Sequence, residues 1–276
     1  MMRLAIIFHI FSVVLGSPQN DFQTEFIHPK ERLDQFFSRK SIINGNVATP
    51  HQFPYQVGIF VKNPSQTDFC GGSLISSNYV LTAAHCVDNA VEVTLIFGAH
   101  NITTVENTQV RLVSTEFIIH SEWDSDNFNK NDIALIKLPN SISETTAIKI
   151  ITLAKGTDTY AEQSSVVAGW GITRNSQSGV TPTLRYITPY IISNADCKNV
   201  DSGYDAVILD TLMCTSGESN RGTCSGDSGG PLAVNGIQVG IVSFGSDDCE
   251  AGKPSVFTRV TKYADWIMQN SDVQFI

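Results

Sequence analysis

No run of lysine and arginine marks this chain. Its 276 residues carry 18 Lys and Arg against 27 Asp and Glu, a formal charge of −9. A nucleic-acid binder needs a basic patch or stripe, so that class is set aside. An acidic surface suits basic partners, and it also simply keeps a protein in solution. No stretch has the roughly 20 apolar residues of a membrane-spanning helix. No Cys-x-x-Cys pair occurs among the 6 Cys, which weakens a zinc reading. No internal repeat and no low-complexity tract appears, which leaves one large domain or two small ones.

What is present begins with a leader. Arg3, the apolar run Leu4–Leu15 and a small residue at Gly16 or Ser17 read as a secretory signal over residues 1–17. An exported chain meets an oxidising compartment, so the cysteines are expected as three disulfides, although spacing alone leaves fifteen pairings open. Residues 18–41 are polar and charged, with Phe22, Phe26, Phe36 and Phe37 interspersed and no Cys. They read as a propeptide, or equally as a linker.

From Ile42 onward, short runs rich in Val, Ile, Thr and Phe alternate with turn residues, the pattern of an all-β fold. With 42% hydrophobic and 16% charged residues, the chain can bury a sizeable core. The strand candidates are Gln56–Val61, Gly72–Ile75, Tyr79–Ala83, Val91–Phe97, Gln109–Ile119, Ala134–Leu138, Ser165–Ala168, Leu184–Tyr190, Met213–Thr215, Pro231–Ala233, Gln238–Phe244 and Ser255–Arg259. Val260–Gln269 carries Tyr263, Trp266 and Ile267 at helical spacing and predicts a closing helix that packs rather than binds.

One stretch stands apart: Gly222-Thr-Cys-Ser-Gly226-Asp227-Ser228-Gly229-Gly230-Pro231. Gly, Asp and Ser all form turns, so on its own it fits a surface turn as well as a site. His85 lies in Leu81-Thr-Ala-Ala-His85-Cys86, and Asp132 in Asn131-Asp132-Ile-Ala-Leu-Ile-Lys-Leu138. Singly, these read as a core histidine and a turn aspartate. Together, in the order His, Asp, Ser, they match one chain order of the acyl-transfer triad. On these three motifs the chain resembles the chymotrypsin-like (trypsin-fold) serine proteases from Ile42 to about Gln269.

The resemblance implies two six-stranded antiparallel β-barrels with the active site between them and a short C-terminal helix. The protease domain would span 42–276, crossing between barrels near 150–155. Ser228 would be the nucleophile, His85 its base and Asp132 the group that orients the imidazole. The N–H groups of Gly226 and Ser228 would form the oxyanion hole. Ser243, Phe244 and Gly245 would pair with the substrate backbone, and Ser243 would touch the Asp132 carboxylate. Phe244 stands where the family usually has Trp. The resemblance also selects the pairs Cys70–Cys86, Cys197–Cys214 and Cys224–Cys249.

Activation in the family follows a cut before Ile42, whose new amine pairs with Asp227. Here Arg39-Lys40-Ser41-Ile42 departs from the usual basic residue directly before Ile. Either a protease cuts after Ser41, or Ser41 is trimmed after a cut at Lys40. The S1 specificity pocket would have Gly222 at its base, Thr223 beside it, and Gly245 and Ser255 as walls. No charge sits there, so large apolar P1 side chains are expected rather than Arg or Lys. Asp247 and Asp248 fall near the rim, either as a lure for basic substrate residues or as solvated loop charges. Ala99 follows Gly98 where a calcium-binding relative has Glu, so no calcium site is expected there. No metal or other cofactor is expected. Asn101-Ile-Thr103 is a glycosylation candidate.

The expected partners are protein or peptide substrates, an activating protease and protein protease inhibitors, with no nucleic acid and no membrane. The expected state is a secreted monomer. The alternatives are elastase-like or collagenolytic specificity, and a non-catalytic homologue acting as a binding partner. Such homologues usually lose a triad residue, and all three are present here.

Overall fold

Runs such as Gln56–Lys62 set β-branched and aromatic residues among small ones, and they hide one face only by pairing with neighbours. The computed structural model describes residues 45–177 and 179–275. The leader, the propeptide stretch and Ile42 lie outside the described residues. The strands, in chain order, are β1 (Asn46–Val47), β2 (Gln56–Lys62), β3 (Thr67–Leu74), β4 (Tyr79–Thr82), β5 (Glu92–Phe97), β6 (Val110–Ser114), β7 (Phe117–Ile119) and β8 (Ala134–Lys137). They continue as β9 (Thr152–Leu153), β10 (Val166–Gly169), β11 (Arg185–Ile187), β12 (Ile191–Ile192), β13 (Leu212–Thr215), β14 (Pro231–Val234), β15 (Ile237–Phe244) and β16 (Ser255–Arg259).

These strands form two curled sheets. The first runs β6-β5-β2-β3-β4-β8-β7 and is antiparallel throughout. The second runs β1-β11-β10-β14-β15-β16-β13-β12, with β9 lying parallel alongside β15. The all-β, two-unit expectation therefore holds. Strands paired in the described residues number seven and nine, where six apiece were expected. Two-residue pairings add β1, β9 and β12, which are too short to show a pattern in sequence. The run 109–119 also breaks in two, because the Ser114 hydroxyl donates to the Lys137 carbonyl at 2.6 Å and accepts the Glu116 N–H at 3.1 Å. The chain leaves the first sheet after β8 and enters the second at β9.

Short helices fill the corners: α1 (Ala84–Val87), α2 (Asn194–Lys198), α3 (Ser202–Val207) and α4 (Ala264–Asn270). Ser193 caps α2 by accepting the Asp196 N–H, and Asp201 caps α3 by accepting from Gly203 and Tyr204. The expected closing helix over 260–269 is a 3-10 turn at Val260–Lys262 followed by α4. Its Tyr263 and Ile267 join the apolar core of the first sheet, alongside Val57, Leu81 and Leu135. The last helix of the chain is thus latched to the first sheet. Cys70–Cys86, Cys197–Cys214 and Cys224–Cys249 are joined. Closing loops of 16 to 25 residues, each is worth about 3 kcal/mol in the chain-entropy model.

The loop after Gly98 is gathered around one carboxylate. Glu106 accepts the N–H of His100 at 2.7 Å and of Asn101 at 3.1 Å, and the Gln109 amide at 3.1 Å. Partial burial pushes the Glu106 carboxyl up, but the bonds from His100, Gln109 and Asn101 outweigh it and hold it below the usual carboxylate range. A carboxyl depressed on folding stabilises above its unfolded pKa and loses that contribution as pH falls through the folded value, here below about pH 4. At neutral pH, Glu106→Ala should cost about 1 kcal/mol after allowing for solvent screening, and Glu106→Gln, which keeps an acceptor, less. Denaturant midpoints and hydrogen exchange of the His100 and Asn101 amides check this; unchanged exchange in Glu106→Ala would contradict it.

Candidate active site

His85 sits on α1, directly after β4, and the neighbouring Cys86 ties that turn to Cys70 on β3. Asp132 enters from the stretch before β8, just after Asn131, whose φ of 55° is one that Asn tolerates better than most residues. His85 is 2% exposed and Asp132 fully buried. The His85 Nδ1 lies 2.8 Å from Asp132 Oδ2, and the His85 N–H donates to Oδ1 at 3.0 Å. The same carboxylate accepts the Ser243 hydroxyl at 2.5 Å. Burial pushes the Asp132 carboxyl up, but the adjacent His85 ring and the bonds from His85 and Ser243 prevail and hold it below the usual range. With an ionised acceptor at Oδ2, the neutral ring carries its proton on Nδ1, which leaves a lone pair on Nε2.

Ser228 belongs to the loop before β14. Its carbonyl accepts the Gly71 N–H at 2.7 Å, and the Gly229 N–H donates to the Val242 carbonyl at 2.8 Å. Gly229, at φ 79°, packs so tightly that a Cβ would fall 3.1 Å from the Ala83 nitrogen and closer still to Thr82. The loop therefore rests on the residues that lead into His85. The Ser228 hydroxyl is fully buried and has no hydrogen-bond partner among the described residues. Nucleophile and base often tighten to hydrogen-bonding distance only when substrate is bound. Among the described residues, neither the Gly226 nor the Ser228 N–H donates to a protein acceptor. Gly226 has φ 94°, and a Cβ on it would lie 2.8 Å from Gly171 Cα, so only glycine fits.

Asp227 points the other way, 1% exposed. Its Oδ1 accepts the Gly171 N–H at 3.2 Å and its Oδ2 the Cys224 N–H at 3.1 Å. Its expected counterpart, Ile42, lies outside the described residues.

Beside this loop, Thr223 N–H donates to the Ser255 hydroxyl at 2.9 Å. A Cβ on Gly222 would lie 3.2 Å from that hydroxyl, and one on Gly245 would meet nothing nearer than 3.7 Å. Gly222, Thr223, Gly245 and Ser255 thus lie close together, and none carries a charged side chain. The Phe244 ring is 1% exposed and packs edge-on against Phe128 at 5.0 Å. Phe244 ends β15, where it pairs with Val256 of β16. Asp247 and Asp248 are exposed, and Asp248 accepts the Asn175 amide. Asn101 Oδ1 accepts both the N–H and the hydroxyl of Thr103, at 3.0 and 2.8 Å. Cys70, His85 and Cys86 bring three ligand-type atoms within 4.8 Å, but both sulfurs are spent in a disulfide, so no thiolate is on offer.

Sequence reading did not find Thr258, whose hydroxyl donates to the Asp132 carbonyl at 2.8 Å. A buried threonine on a strand carries no signal for that role. Nor did it find Asn175.

The trypsin-family model matches residues 42–267. Brachyurin of Leptuca pugilator is 42% identical over 233 residues, covering 84% of this chain and 99% of brachyurin. Chymotrypsin of Phaedon cochleariae is 38% identical, covering 84% of this chain and 82% of its own. The solved structure of HL collagenase superposes with a TM-score of 0.76 at 36% identity, covering 85% of this chain and 100% of that one.

Ser243→Ala would remove one donor from the Asp132 carboxylate and raise its folded-state pKa. Because that depressed carboxyl stabilises above its unfolded pKa, near 4, and the contribution fades as pH falls through the folded value, the variant should lose stability at a higher pH than the parent. At pH 7 the loss should be about 1.5–3 kcal/mol, typical of a hydrogen bond to a charged group. Thermal midpoints followed from pH 7 to pH 2 test this, and superimposable acid profiles would contradict it.

Proposed function

The chain belongs to the trypsin family of serine endopeptidases, and from that premise we propose a secreted, chymotrypsin-like enzyme, made as a zymogen, that cuts its protein or peptide substrates after large apolar residues. One observation carries the catalytic part: a buried His85–Asp132 pair beside a loop whose Ser228 hydroxyl and two N–H groups are uncommitted among the described residues. In this reading His85 Nε2 takes the Ser228 proton as Oγ attacks the scissile carbonyl. The Gly226 and Ser228 N–H groups receive the developing oxyanion, each worth about 3 kcal/mol of barrier. The imidazolium, steadied by Asp132, returns the proton to the leaving amine, and water then repeats the sequence on the acyl-enzyme.

Activation in this reading needs the α-ammonium of Ile42. Asp227 is a buried carboxylate held by two backbone N–H groups, and a cation arriving there would favour the ordered loop. Three disulfides suit an oxidising compartment.

The P1 preference rests on Gly222, Thr223, Gly245 and Ser255. An aromatic side chain buried among them gains roughly 2–3 kcal/mol at about 25 cal/mol per Å². An Arg or Lys would bring its cation to an uncharged floor. The likeness to HL collagenase favours a second reading, collagen as substrate, which differs only in the choice of target.

Matched peptides differing only at P1 test the proposal on three proteins: one beginning at Ile42, one beginning at Ser41, and the Gly222→Asp variant of the first. The Ile42 form should favour Phe or Leu over Arg in kcat/KM by more than about tenfold, a difference of about 1.4 kcal/mol. The Ser41 form should be far less active, and Gly222→Asp should narrow the gap as the Ser255 hydroxyl shifts to admit the new side chain. A parent that prefers Arg would overturn the specificity, and an equally active Ser41 form the activation scheme. Native collagen, added as a further substrate, decides the second reading.

A further inference from the structure

The stretch 245–252 carries one side of the proposed pocket, from Gly245 to Cys249, and its Asp247, Asp248 and Glu250 are exposed. Across from it lies the stretch 170–177. Asn175 joins the two. Its N–H donates to Glu250 Oε2 at 2.8 Å, and its side-chain Nδ2 donates to Asp248 Oδ1 at 2.5 Å. The same Asp248 oxygen accepts the Glu250 N–H at 3.0 Å, and the Ala251 N–H donates to the Asp248 carbonyl at 3.1 Å. One carboxylate thus shapes the turn of the wall stretch and receives Asn175 as well.

The turn that carries Asn175 is tied by its neighbours. The Gln177 side-chain oxygen accepts both the N–H and the hydroxyl of Thr173, at 3.0 and 2.9 Å, and the Gln177 N–H donates to the Arg174 carbonyl at 3.1 Å. At the root of this stretch, Gly171 N–H donates to Asp227, the residue beside the nucleophile. From the wall, Cys249 is bonded to Cys224, whose N–H donates to the other Asp227 oxygen. The links close a circuit through Asp227, Gly171, Asn175, Asp248, Cys249 and Cys224. The Asn175–Asp248 contact is made by two side chains, and substitution can open it without touching the triad, leaving the Asn175 N–H to Glu250 as the remaining tie between the stretches.

We propose that Asn175 is a positioning residue for P1 selectivity, holding the wall at 245–249 in register with the nucleophile loop. The proposal rests on the pocket reading given above. An aromatic P1 group gains from two walls already in place. With the Asp248 tie removed, only Glu250, beyond Cys249, still bonds Asn175, so the stretch between Gly245 and the disulfide must be ordered when substrate binds, and that ordering cost weakens binding. A substrate that leaves the pocket empty is indifferent to it.

The experiment compares Asn175→Ala, Asp248→Ala, Asp248→Asn and Gly222→Asp in the mature enzyme, using a P1-Phe peptide, a P1-Arg peptide and p-nitrophenyl acetate, which does not fill the pocket. Asn175→Ala and Asp248→Ala should raise KM for the P1-Phe peptide about tenfold with little change in kcat, the pattern of lost uniform binding. Acetate ester hydrolysis should stay near the parent rate. Asp248→Asn keeps an acceptor oxygen and should restore most of what Asp248→Ala loses. An unchanged KM in Asn175→Ala, or an equal loss on the acetate ester, would overturn the proposal. If Gly222→Asp shifts preference toward Arg while Asn175→Ala does nothing, only the role of Asn175 falls. If Gly222→Asp shifts nothing, the pocket reading falls, and the role of Asn175 with it.

Discussion

A carboxylate with no water around it survives only if donors surround it, and Asp132 dictates where those donors stand. Stripping the ion of solvent costs several kcal/mol, which only well-placed partners offset. His85 reaches it twice, from the first sheet, through ring and backbone. Ser243, at the end of β15, and Thr258, on β16, reach the same residue from the second sheet. Two separately built sheets are thereby held to a common point. The Ser73 hydroxyl, bonded to Gln238 at 2.6 Å across the same seam, adds a second polar rivet. The charge that orients the imidazole is also a reason for the halves to meet in one register.

The nucleophile loop obeys a different constraint, which is space. Gly226 runs against the backbone of Gly171, and Gly229 against those of Gly71 and Ala83, too closely for any side chain, while a Cβ on Gly230 would meet the Asp227 carbonyl. That crowding fixes the loop without spending its donors. Among the described residues the amides of Gly226 and Ser228 and the Ser228 hydroxyl stay uncommitted, because glycine contacts and the Asp227 carboxylate do the holding. Donors fixed before the reaction begins need no reorganisation as charge develops on the carbonyl oxygen, which is where such sites gain most of their rate.

The residues of the candidate site could be named because each chemistry admits few residue types and each came with flanks of its own. His85, Asp132 and Ser228 could be named from three short motifs, and the cysteine pairs from family likeness alone. Strand positions were legible where three or more β-branched, aromatic or other apolar residues stand together between turn residues. They were not at β1, β9 and β12, where two residues carry no period. The caps at Ser193 and Asp201 were visible letters, but the helices behind them are only five and six residues long. Glu106 and Asn175 were illegible for another reason. Their roles are contacts within and between loops, and Asn175 meets a residue 73 positions away. Polar surface residues become structural only once the fold has chosen their neighbours. The activation segment, read from Arg39 to Ile42, stays an expectation.

In the proposed mechanism Ser228 alone carries an activated nucleophile, made so by His85 and Asp132. Treating the mature protein with diisopropyl fluorophosphate and mapping the adduct by mass spectrometry tests it most directly. A single adduct is expected, on the peptide bearing Ser228, forming in step with loss of peptidase activity. An adduct on another residue, or full activity after Ser228 is blocked, would contradict it.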